Sequence, residues 1–353
     1  MPIAITPFGT APDGTPAHLY TWVNARGCKI AVSDYGARIL ALEAPDRDGS
    51  LADVLLGFDQ PDDLFADEAY IGALVGRLAG RTESPVTIGG KTYSLDVPEG
   101  APSMLHGGSM GFSGRVFRAE PGVFEGTECL TLTLRSADGE AGLPGNMDVL
   151  IRYRYDGDNR LIVDMEAVTD AATPVNLTQH MYINLTGIPT KDILGHVFQV
   201  HASTYADTDE HLDFVNHIYP VAGTPLDFTQ PHTFGERIGH DNPSLKYGGG
   251  YDLNYFIDGY KPGVLTAMGE VYEPESGRTL AVSGTQPCLQ LYTGNMMTGQ
   301  QRGKNGVIYP VRSGFCLETQ HVPNAPKHRP DDVLLRPGEV YKHQAVYAFG
   351  VRG

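Results

Sequence analysis

Glycine and proline interrupt this chain so regularly that few folds remain open to it. There are 43 glycines and 25 prolines among 353 residues, about a fifth of the total, and they are spread along the whole length. Each is costly inside a helix, glycine through backbone entropy and proline through its missing N–H and a steric clash. No long amphipathic helical stretch survives this spacing. Short runs of β-branched and aromatic residues do fit between the interruptions.

Residues 28–33 alternate and hold Ile30 and Val32. Residues 130–134 alternate leucine with threonine, the pattern of a half-buried strand. Residues 86–88 and 91–95 flank Gly89-Gly90, a pair suited to a tight hairpin turn with positive φ. Asp156-Gly157-Asp158-Asn159 separates 149–155 from 161–168, and residues 273–277 separate 269–272 from 279–283. A further strand-like run, 339–349, closes the chain. Helical signals are confined to 61–66 and to 233–238, where Gly239 is a stop. Closely spaced strands without alternating helices predict an all-β protein, a large antiparallel β-sandwich with few short helices. Without a linker, a low-complexity tail or a fixed-period repeat, residues 1–353 read as one domain.

Charge narrows the possible partners. Asp and Glu total 42 against 26 Lys and Arg, a formal net charge of −16, with no basic run to offset it. Such a chain repels nucleic-acid backbones and anionic membranes, so a small neutral molecule is the expected partner. The N-terminus lacks the basic start and apolar core of a signal peptide, and no apolar run approaches a membrane span, so a cytoplasmic protein is expected. Cys28, Cys129, Cys288 and Cys316 have no Cys-x-x-Cys spacing and sit in apolar stretches, which predicts buried free thiols. The twelve histidines form no metal motif, and no phosphate loop, dinucleotide fingerprint or serine elbow occurs. Neither a metal nor a cofactor is expected. Monomer and homodimer are both compatible with the sequence.

Six segments combine turn glycines, polar side chains and titratable groups. They are Gly76–Arg81, Leu105-His106-Gly107-Gly108, residues 176–185, 250–254, 289–295 and 315–321. His180 and Glu318 stand out, because each lies in a strand-like run among apolar neighbours, where an ionisable group needs a partner. Histidine titrates near neutrality, and burial can raise a carboxyl toward it, so both suit proton transfer. Taken singly, His180 reads better as a satisfied core histidine and Glu318 as half of a buried ion pair; the four other polar, glycine-bracketed segments shift the balance toward a site. His106 fits a turn, Asp252 an Asx turn or a hydroxyl acceptor, and Arg77 and Arg81 surface ion pairs. Gln290 faces away from Leu289 and Leu291, toward a polar cleft or solvent. Residues 248–250, a run of three glycines, read as part of a functional loop.

Taken together and in this order, the six segments resemble the aldose 1-epimerase, or galactose mutarotase, family. Residues 334–339 extend the likeness. The resemblance implies a β-supersandwich fold, a monosaccharide substrate and no cofactor. It also implies Glu318 as catalytic base, His180 as catalytic acid and His106 as a second histidine near the ring oxygen. Arg81, Asp252 and Gln290 would bind sugar hydroxyls. The chain departs from the family at Gly80, where an asparagine is common, which bears on sugar preference. Three alternatives stand beside this reading. A hydrolase would use Asp252 and Glu318 as its carboxylate pair. A non-catalytic sugar-binding protein could keep the fold, and a relative acting on phosphorylated hexoses would need a basic pocket.

Overall fold

The alternating runs pair mainly with their neighbours in sequence. In the computed structural model, which describes residues 2–353, Met147–Tyr155 and Arg160–Thr169 run antiparallel, with Met147 opposite Thr169 and Tyr155 opposite Leu161. Alternate residues share a face. Met147, Val149, Ile151 and Tyr153 are buried, as are Leu161, Val163, Met165 and Ala167. The closing strand Tyr341–Val351 joins this pair to Arg278–Gly284 and Thr266–Tyr272. The result is a nine-stranded sheet that begins at Arg118–Phe124 and Thr127–Ser136 and ends at Val197–Val200 and His232–Thr233. The closing strand starts two residues later than the sequence suggests.

Two five-stranded sheets complete the sandwich. Ala4–Thr10, Pro16–Val23, Lys29–Ser33, Arg38–Pro45 and Leu51–Asp53 form a meander. Its Trp22, Ile30, Val32 and Leu42 pack into one core with Leu132, Ile151 and Val163 of the large sheet. The second has the order Phe214–Pro220, Thr204–Thr208, Asp252–Phe256, Cys288–Tyr292 and Cys316–Gln320. One face of it, carrying Leu253, Tyr255, Leu289, Leu291 and Leu317, belongs to the same core. Burying each such side chain stabilises the fold by about 1.5–3 kcal/mol. The opposite face must then carry Asp252, Asn254, Gln290, Tyr292, Glu318 and Gln320. A slip of one residue would exchange the two faces, so core burial fixes the register that displays these polar groups.

The hairpin at Gly89-Gly90 forms with φ of +57° and +80°, its second strand stopping at Tyr93. Helices Pro61–Phe65 and Phe234–Arg237 lie where expected. Pro243–Gly248, Ala325–His328 and Pro330–Val333 are additional. The first of these corrects the reading of residues 248–250 as a functional loop. The Asn242 side chain accepts from the Ser244 and Leu245 N–H groups, Pro243 opens the helix, and Gly249 ends it at φ +64°. The glycines stop a helix and turn the chain into the strand that begins at Asp252. All four cysteines are buried and free. Among the described residues, no helix is long and apolar enough to cross a membrane.

Candidate active site

A cavity of about 270 Å³ lies on the polar face of the second five-stranded sheet. Strand register builds its floor. Asn254 pairs with Gln290, and Gln290 pairs with Glu318, so the three form one row across neighbouring strands. Asp252 lies beside that row, and its Oδ1 accepts a 2.7 Å hydrogen bond from Gln290 Nε2. The Asx turn considered for Asp252 is absent, since the residue starts a strand.

The opposite wall comes from other parts of the chain. His180 ends the short strand Thr178–His180, which pairs with Ala73–Val75. Arg81 begins Arg81–Glu83 and pairs with Leu105, which places His106 at the following turn. His106 has φ +51°, and the next residue must be glycine. A Cβ on Gly107 would lie 2.1 Å from the Gly76 carbonyl oxygen. The six residues expected at the site, Arg81, His106, His180, Asp252, Gln290 and Glu318, all line this one cavity.

His180 and Glu318 are 5% and 3% exposed, and Nε2 of the histidine lies 3.7 Å from Oε1 of the glutamate. That is too long for a hydrogen bond but short enough for both groups to reach neighbouring atoms of one ligand. The imidazole is packed by Tyr182 at 5.2 Å and by His106 at 5.2 Å, centroid to centroid. On its far side, Nδ1 lies 3.6 Å from Cys316 Sγ. His106 Nδ1 accepts from the Gly80 N–H at 3.2 Å. A neutral His106 therefore carries its proton on Nε2, as a donor. Tyr70 meets the His106 ring edge at 4.6 Å.

Burial governs the titrations. It pushes the Glu318 carboxyl well above the usual carboxylate range, with the negative charge of Asp252 adding to the effect. It lowers His180 to about 4. It holds His106 well below its ordinary value, helped by the charges of His180 and Arg81. Asp252 is raised by burial, opposed by Arg81 and by the Gln290 hydrogen bond. Burial thus works against the charged form of both groups, disfavouring the Glu318 carboxylate and the His180 imidazolium alike. Moving one proton between them gives a carboxylate and an imidazolium at the same net charge. Among the described residues, no three His, Cys, Asp or Glu side chains converge as a metal-binding group.

Arg77 does not join the site. It is a buried structural residue rather than the surface ion-pair member considered from sequence, and its guanidinium is held by Ser136 Oγ and the Pro144 and Ala137 carbonyls. Gly80 does line the cavity, at φ +72°, and a Cβ there would meet Pro323 at 2.8 Å. The room an asparagine side chain would need is thus partly taken by a proline ring. Tyr182, Asn254, Tyr292 and Gln320 also line the cavity; they fall within the six segments but sequence reasoning gave them no role, and Tyr70, a further lining residue, lies outside those segments altogether. Strand parity with Asp252 and Glu318 could have exposed Asn254 and Gln320. Tyr70 sits outside the strands and helices with φ +58°, and no local pattern marks it.

Comparison with known proteins identifies the family and the fold. The family model described as aldose 1-epimerase matches residues 18–348. A galactose mutarotase from Homo sapiens is 37% identical over 98% of this chain and 97% of its own length. An aldose 1-epimerase from Escherichia coli K12 is 34% identical over 96% of this chain and 97% of its own. A galactose 1-epimerase structure from Lactobacillus acidophilus superposes with a TM-score of 0.85 at 25% identity, covering 99% of each chain. An aldose epimerase homologue from C. elegans gives 0.84 at 26% identity, covering 99% of this chain and all of that one.

Proposed function

This chain belongs to the aldose 1-epimerase family, and from that membership we propose which of its side chains move protons and which hold the sugar. The enzyme is an isomerase that interconverts the α and β anomers of a free aldose such as galactose or glucose. Inversion at C1 requires ring opening to the aldehyde and closure on its other face. Opening takes a proton from the C1 hydroxyl and gives one to the ring oxygen.

Those two oxygens are bonded to the same carbon, so acid and base must stand side by side. The 3.7 Å separation of His180 Nε2 and Glu318 Oε1 is the observation that carries the assignment. Glu318 as carboxylate takes the hydroxyl proton while His180 as imidazolium protonates the ring oxygen. This leaves Glu318 protonated, His180 neutral and the sugar open. Rotation about C1–C2 presents the other face of the carbonyl. Closure then runs the transfers backward, with Glu318 as acid and His180 as base. The neutral pair favoured by burial is the closing form, and a sugar hydroxyl donating to Glu318 favours the carboxylate needed for opening. His106, as a neutral Nε2–H donor, faces the ring oxygen. Arg81, Asp252 and Gln290 hold the sugar's hydroxyls while C1 turns, a contribution of orientation rather than proton transfer.

Polarimetry with freshly dissolved α-D-galactose and α-D-glucose tests this reading. The protein should speed the approach to the same final rotation. Glu318→Gln and His180→Ala should each lose about 10²–10⁴-fold in turnover, the usual worth of a positioned acid or base. Glu318→Gln should still bind sugar by calorimetry. Normal turnover in that variant would refute its role as base.

A further inference from the structure

The cavity floor holds a polar group that neither the fold nor the proton transfers use. Asn254 is 3% exposed and lines the cavity. Neither its Oδ1 nor its Nδ2 has a hydrogen-bond partner in the protein. Its cross-strand neighbour Gln290 does not relieve it, because Gln290 Nε2 is committed to Asp252 and Gln290 Oε1 is itself unpartnered. Gln320, on the same face as Glu318, also leaves its Oε1 unpartnered at the cavity. A buried amide without partners is unfavourable, so a fold that retains one on a cavity wall is built for a group that arrives from outside.

We propose that Asn254 is a further sugar-binding and specificity-determining residue, donating to and accepting from hydroxyls on the side of the ring away from C1. This rests on the assignment of Glu318 to C1. Asn254 lies in the same row as Glu318 but two strands away, about 10 Å at ordinary interstrand spacing. A pyranose held at C1 by Glu318 directs its C3, C4 or C6 hydroxyl toward that position. An amide suits this task because it offers a donor and an acceptor at once, so it can pair with a hydroxyl in either sense. A site built to pair with a hydroxyl also rejects a sugar that lacks it.

The test combines Asn254→Leu and the milder Asn254→Ser with galactose and its 3-, 4- and 6-deoxy analogues. With galactose, each variant should lose about 10- to 100-fold in kcat/KM. With the deoxy sugar that lacks the contacted hydroxyl, wild type and variant should be nearly equal. Without sugar, Asn254→Leu should melt at or above the wild-type temperature, because it removes an unpaired amide, whereas a structural role would lower the melting point. Equal losses with every sugar, or no loss with any, would overturn the proposal. An inactive wild-type enzyme would instead refute the epimerase assignment itself, so the two failures are distinguishable.

Discussion

Arg77 and Arg81 come from one short glycine-bracketed segment and end in opposite circumstances. The Arg77 guanidinium is buried, and its donors meet Ser136 Oγ at 2.9 Å, the Pro144 carbonyl at 3.1 Å and the Ala137 carbonyl at 2.8 Å. The Arg81 guanidinium stands in the cavity wall with no side-chain hydrogen bond or ion pair among the described residues, and its charge acts on His106 and Asp252. A guanidinium held on all three nitrogens by carbonyls and hydroxyls braces the structure, whereas one left open is available to a ligand. The same contrast separates the two faces of the second five-stranded sheet. One is filled with Leu253, Leu289, Leu291 and Leu317, and the other leaves both polar atoms of the Asn254 amide and the Gln290 Oε1 without a partner.

Exchanging each arginine for methionine breaks this comparison most directly. Arg77→Met strands buried carbonyls and should cost about 2–4 kcal/mol in urea unfolding. Its kcat per folded molecule should be unchanged. Arg81→Met should leave stability within about 0.5 kcal/mol of wild type, as for a side chain without structural partners, and should raise KM for the sugar. Equal destabilisation by both would erase the distinction.

Buried titrating groups sharpen it next, because the two regions have opposite pH signs. His196 lies in the core, its Nε2 accepting from the Leu185 N–H and its Nδ1 3.1 Å from the Ile193 carbonyl. Burial lowers it to about 4 from 6.5. The unfolded chain then binds the extra proton between those values, so His196 contributes stability above pH 6.5 that is lost as pH falls through 4. Glu318 has the reverse sign. Its raised carboxyl gives stability that is present below its ordinary value of 4.5 and lost as pH rises through the folded value. Glu318→Gln should therefore be more stable than wild type at pH 8, with the gap closing as pH drops toward 4.5. His196→Gln should flatten the decline between pH 6.5 and 4. Urea unfolding across that series reads both, and a Glu318→Gln variant less stable at pH 8 would contradict the burial argument.

The smallest effect lies far from the cavity. Gly90 has φ +80° and open space around a built Cβ, so Gly90→Ala carries only backbone strain. It should cost about 1–2 kcal/mol and leave mutarotation unchanged.

Much of the molecule was legible because strand patterns are local. The alternation Leu289-Gln290-Leu291 already divides core from cleft, and the Gly89-Gly90 and Asp156–Asn159 turns announce their hairpins. The helix Pro243–Gly248 also carries local signals, in Asn242 before Pro243 and in Gly249 after its end. The three-glycine run drew attention to a loop instead.

By itself, the sequence determined the all-β class, the buried thiols and the parity that turns Gln290 away from Leu289 and Leu291. These follow from period-two patterning and from what glycine and proline forbid. Only the tertiary structure decided that Asp252, Gln290 and Glu318 become neighbours, that His180 Nε2 comes within 3.7 Å of Glu318, and that Arg81 stays open while Arg77 is held by buried acceptors. Those outcomes depend on register between strands distant in the chain. That register is set by the summed burial of the apolar face, which no local window contains.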